Sequence, residues 1–338
     1  MKKDASLNIQ SKIFDHVRKA IGPEESIGLV LSDVLALSTD AVYRRIRNET
    51  PMTIHEVEKV CSFFKISFDS LSTETSRKVD FDYLDSPSGE FSMDIYLRGI
   101  LSGMKDLRKL PQVKLFLTVN NVHFFQAFNF PEIVHFRLFF WAKSHLLLPE
   151  YEHRKFDING ISKEAFNDGR EILQLYNQLE TVEIVDREMM RGYLRQIAYA
   201  WESGWFKDAE QVLRLIDAVE EWLNHFLKQA ENGKKFQVGT AVPASGAKLN
   251  LFLNDTVNTD TTFYYECESK RGVYLIHNIL NYLHTNNDRY VGDTKAVIDR
   301  QLLNANLISE VNHKDRHKYF QDLFASVNAA RLEIITKR

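Results

Sequence analysis

Tyr43, Arg44 and Arg47 stand close together in the stretch TDAVYRRIRN, running from Thr39 to Asn48. With Ser38, Thr39, Asp40 and Asn48 they form the chain's best-furnished set for recognising another molecule. A guanidinium is a planar fork of donors that matches a guanine edge or a phosphate. Tyr, Thr and Asn add shorter bonds to phosphates or bases. Only Ala41, Val42 and Ile46 in this stretch are apolar enough to turn inward, so a helix here leaves the polar set facing out. The chemistry is reversible recognition of a major groove rather than bond making.

Other reactive residue types do not assemble into a site. His145 and His153 flank Glu150 and Glu152, but Pro149 breaks any helix that would align them, and a solvated loop is the better account. His313 and His317 are spaced i, i+4, yet Lys314 stands where a metalloprotease motif needs Glu. His277 and His284, beside Tyr274 and Tyr282, read as core on one helical face, with a pocket wall as the lesser alternative. The loop VGTAVPASGAK lacks the glycine spacing of a phosphate cradle, and no GxSxG or paired Cys/His arrangement occurs. The expectation is therefore no catalytic residue, no metal and no cofactor, and a protein that is not an enzyme. Phe124, Phe125, Phe128, Phe136, Phe139, Phe140 and Trp141 read as core, with an apolar pocket or subunit interface as the alternative.

The elements that must position the polar set lie around it. Ser26 is a suitable N-cap, and Ile27, Val30, Leu31, Val34 and Leu35 then follow helical spacing. Ala36, Leu37 and Ser38 make a corner, with Ser38 capping the next helix. Thr53 and Glu56 form a capping box for a further helix with Ile54, Val57, Cys61 and Phe64 inward, closed by Ile66, Phe68 and Leu71. Ile9, Ile13, Phe14, Val17 and Ile21 give a preceding amphipathic helix ending at Gly22-Pro23.

LSDVLALS (31–38) resembles the LAxxLGVS signature of Cro/repressor-type (XRE-like) helix-turn-helix domains, with Val42 at the family's buried aliphatic of the recognition helix. PMTIHEVEKVCSFFKISFDSL (51–71) resembles its closing helices, so the likeness covers roughly residues 8 to 72. Gly28 stands where the family often has a phosphate-touching Gln, Ala36 replaces the Gly of the turn, and Ile46 and Asn48 replace a Glu and Gly. The resemblance implies binding of double-stranded DNA through Ser38, Thr39, Asp40, Tyr43, Arg44, Arg47 and Asn48.

A chain of 338 residues exceeds one such module. A net charge of -3 excludes a generally basic nucleic-acid binder, leaving a local patch at Tyr43-Arg44-Arg45-Ile46-Arg47. Two cysteines, no apolar leader in MKKDASLNIQSK, and charges throughout the most apolar run point to a cytoplasmic protein without a membrane partner.

The expected fold class is mainly α: an N-terminal five-helix DNA-binding bundle plus a larger, helix-rich α+β C-terminal region with a small sheet. The expected boundaries are 1–72 for the DNA-binding domain, 73–90 for a linker and 91–338 for an effector and dimerisation region. In the last, strands are expected over 112–119, 122–128, 249–253 and 261–268. Helices are expected over 131–149, 162–180, 186–203, 206–230, 272–285, 294–305 and 314–331. The functional expectation is a homodimeric transcriptional regulator, repressor-like, with an unknown effector. A helical protein–protein interaction protein is the alternative.

Overall fold

A computed structural model describes residues 9–21, 25–71, 78–84, 92–256 and 261–336. The expected tail of residues 1–7, the Gly22-Pro23 stop and the 73–77 and 85–90 parts of the expected linker lie outside them. The chain forms two compact units, residues 1–81 and 82–338.

In the first unit, α1 (Ile9–Ala20), α2 (Ile27–Leu35), α3 (Thr39–Ile46) and α4 (Ile54–Phe64) surround a core of Ile13, Phe14, Val17, Leu31, Leu35, Val42, Val60 and Leu71. A single helical turn, α5 (Phe68–Leu71), follows. Among the described residues the expected five-helix bundle is thus corrected to four helices and one turn, because Lys65 in the left-handed region ends α4 and α5 spans only four residues. The inward face of α4 also differs. Val60 is buried, whereas Ile54, at the first helical position, is 89% exposed, and Phe68 is half exposed.

The second unit is built on an eight-stranded mixed sheet, so the expected small sheet is corrected as well. The chain runs through β1 (Asp82–Leu84), α6 (Met93–Lys109), β2 (Lys114–Val119), the one-turn α7 (Phe124–Ala127), α8 (Pro131–Ser144) and α9 (Lys163–Tyr176). It continues through β3 (Glu180–Val185), α10 (Arg191–Glu202), α11 (Ala209–Asn232), β4 (Leu249–Leu253), β5 (Thr262–Glu266) and β6 (Arg271–His277). Last come β7 (Asn281–Thr285), α12 (Asp288–Leu303), β8 (Asn306–Leu307) and α13 (His313–Thr336). The strand order is β1-β7-β6-β5-β2-β3-β4-β8. Neighbours β2, β3 and β4 are parallel, which requires the long helical crossovers between them, and the other pairings are antiparallel.

Side-chain alternation along the strands feeds two cores. Leu115, Leu117, Leu249, Leu251 and Leu253 join the large helical layer, while Phe116, Val182, Ile184, Tyr264 and Val273 meet Val291 and Ile298 of α12.

Three further expectations change. Residues 82–84, placed in a linker, pair Asp82 with His284 as an edge strand. VHFFQAF, expected as a strand, is helical over Phe124–Ala127, capped by His123 accepting from the Gln126 N–H. Residues 272–285, expected as a helix, are the β6–β7 hairpin, turned by Asn278 and Ile279 at positive φ. That correction also removes the shared helical face of His277 and His284. His284 stacks on Tyr265 and lies against Tyr274, whereas His277 is exposed and packs edge-on to Tyr83.

Candidate nucleic-acid interface

The corner between α2 and α3 depends on Ala36, which takes the left-handed conformation with φ 54°, the region glycine usually occupies. Ser32 Oγ donates to the Leu37 carbonyl across it. Ser38 then caps α3, its Oγ accepting from the Ala41 N–H at 3.3 Å. Ser26 occupies the N-cap of α2 in an extended conformation, with no side-chain cap bond. The Thr53–Glu56 capping box opens α4.

These elements anchor one side of α3 and free the other. Val42 is fully buried. Ser38, Thr39, Asp40, Tyr43, Arg44, Arg47 and Asn48 are all exposed. The chemistry of that surface is narrower than the sequence suggests. Arg44 faces Asp40 at 3.2 Å, and Arg47 holds Glu49 through two bonds, at 2.7 and 3.1 Å. That bond keeps the Arg47 guanidinium above its ordinary value and the Glu49 carboxyl below its own. Asn48, at φ 59°, donates back to Ser11 Oγ on α1.

Arg45 leaves the basic run altogether. It forks onto Glu56 at 2.7 and 3.1 Å and donates to the Ala41 carbonyl, with both charged side chains only 14% exposed. Glu56 therefore serves two elements, accepting also from the Thr53 N–H at 2.8 Å. Burial alone would raise its carboxyl, but the Arg45 and Thr53 bonds hold it below the usual range.

Sequence reasoning missed Gln10. Its amide donates to the Arg45 and Thr50 carbonyls and accepts from the Met52 N–H, tying α1 to the α3–α4 connection. A polar residue inside an amphipathic stripe was the available signal. Gly28 also acquires a reason. A Cβ there would fall 2.6 to 2.8 Å from the Tyr43 ring and hydroxyl, so the phenol occupies the space above the start of α2.

The second unit holds a buried polar cluster on β3. Glu183 accepts from Tyr176 and from Thr181, the latter at 2.8 Å. His123 Nδ1 accepts from a backbone N–H, and its Nε2 lies 3.1 Å from Glu183 Oε2. Lys235 lies 3.9 Å above the Tyr176 ring and donates to the Tyr176 and Leu179 carbonyls. Burial pushes the Lys235 ammonium down to about 7. Burial works against the Glu183 carboxylate too, yet His123, Lys235 and Tyr176 hold it down to about 2. All five side chains are closed off from solvent, which suits a structural charge network.

His313 stands 2.5 Å from the Arg316 guanidinium. Among the described residues no three His, Cys, Asp or Glu side chains gather as a metal site, and no helix is long and apolar enough to cross a membrane. No family model, no curated protein sequence and no solved structure matches the chain.

Proposed function

We propose that the N-terminal unit binds double-stranded DNA with α3 in the major groove. In this reading the second unit dimerises and senses an effector, making the chain a one-component transcriptional regulator acting in the cytoplasm. One observation carries the reading: the seven polar residues named from sequence all face solvent around a short helix whose aliphatic side is anchored at a tight corner. The two free cysteines suit a reducing compartment.

The arginines are screened by Asp40 and Glu49, but exposed ion pairs are worth about 0–1 kcal/mol, so a phosphate or guanine edge can displace those partners. Binding is then local and modest in charge. It should weaken with salt at a logarithmic slope of about -0.9 per phosphate neutralised.

Binding of DNA fragments at several salt concentrations tests this. Arg44→Ala and Arg47→Ala should each lose on the order of 1–3 kcal/mol, while Glu49→Gln, which frees Arg47, should strengthen binding. A second reading, a protein-interaction module, is favoured by the exposed Leu29, Phe63 and Ile54 of the same unit, at 61%, 64% and 89%. Absence of DNA binding, or binding that survives both arginine changes, would decide for it.

A further inference from the structure

A cleft of about 440 Å³ opens in the second unit between α11 and the segment 236–240. That volume suits a small molecule. Its two sides differ in chemistry. Phe130, Phe236 and Val238 supply apolar surface, and α11 supplies Glu221, Asn224 and Lys228, spaced to share one helix face.

The apolar wall is held in place before any ligand arrives. The Phe236 carbonyl accepts from His225 at 2.9 Å and from Gln229 at 2.6 Å, and the Val238 N–H donates to Asn129 Oδ1 at 2.9 Å. Gly239, at φ +77°, makes a turn that a side chain would strain.

The charges at the rim face solvent. Glu220, beside Glu221 in sequence, pairs with Arg331, as does Asp217. Among the described residues, however, neither Glu221 nor Lys228 makes an ion pair. Their backbone positions lie about 10 Å apart along the helix axis, an anion and a cation facing one cleft with an apolar side.

We propose that this cleft binds a small zwitterion with an apolar body, the chemistry of an apolar amino acid or short dipeptide. The ammonium of the ligand meets Glu221, its carboxylate meets Lys228, and its side chain lies against Phe130, Phe236 and Val238. This site is independent of DNA recognition by the other unit and stands whether or not that reading does.

Calorimetric titration of the full chain tests it with phenylalanine, phenylalanyl-leucine, glycine, 3-phenylpropionate and phenethylamine. Phenylalanine or the dipeptide should bind, and the stronger of the two identifies the ligand length. Glycine and the two singly charged analogues should bind at least about tenfold more weakly. Glu221→Gln and Lys228→Met should each weaken the zwitterion by about tenfold or more, and Val238→Trp should abolish binding by filling the cleft, with melting temperatures confirming folded variants. Binding of neither zwitterion, equal binding of a singly charged analogue, or affinity unchanged in the charge variants would overturn the proposal.

Discussion

Arg44, Arg45 and Arg47 each hold a different carboxylate: Asp40, Glu56 and Glu49. The surroundings separate their roles. Arg44 and Arg47 stay exposed and available to a ligand, whereas Arg45 is a partly buried tie between α3 and α4. Arg45→Ala should therefore destabilise the N-terminal unit by about 1–3 kcal/mol, because Glu56 is left without its counter-ion away from water. Arg44→Ala should change stability by no more than about 0.5 kcal/mol. Denaturant melts of both variants check the contrast, and equal effects would refute it. In the second unit, Lys235 sits down at about 7, below its value in an unfolded chain. The folded state then binds fewer protons than the unfolded state between those two values, so this group makes stability rise as pH rises through that window. Urea midpoints measured from neutral to mildly alkaline pH should climb in the native chain and climb less in Lys235→Met.

At the scale of elements, the α2–corner–α3 unit was legible because its signals are local. Capping residues, a short corner and one buried Val42 act within a few positions of one another. The Gly28–Tyr43 contact is the exception, since it joins two helices. Gly28→Ala should keep or modestly raise stability, alanine being about 1 kcal/mol better in a helix, while forcing the Tyr43 ring aside and lowering DNA affinity. Unchanged affinity would show that this pose of Tyr43 is not used. The sheet was less legible. β3 escaped notice because Glu183 interrupts a short apolar run, and that carboxylate is tolerable only beside His123, Tyr176 and Thr181. The β6–β7 hairpin reads as a helix in sequence because GVYLIHNILNYLHT carries apolar residues at both spacings, and pairing with β5 and β1 selects the extended form. Conversely, the aromatic run after β2 suits a strand by propensity, but nearly all of it is buried within the helical layer, where a capped turn satisfies its backbone.

At the scale of the molecule, a net charge of -3 with paired arginines at the interface leaves little long-range attraction to DNA. In the proposed reading, useful affinity then calls for two modules acting together. A homodimer would present its α3 helices about 34 Å apart, one turn of duplex. Footprinting on a selected sequence should show two half-sites at that spacing, and sedimentation should show a dimer at the same concentrations. A monomer protecting a single half-site would remove the dimeric operator model while leaving groove recognition by α3 intact.

By itself the sequence determined four helices of the N-terminal unit, the exposure of the six polar residues from Thr39 to Asn48 and the position of several C-terminal elements, because capping, periodicity and turn preferences operate within one or two helical turns. Tertiary structure alone decided the breadth of the sheet, the withdrawal of Arg45 into an ion pair, the burial of Glu183 with Lys235 and the charged cleft along α11. Each of these depends on groups far apart in the chain, whose desolvation or pairing has meaning only once folding has brought them together.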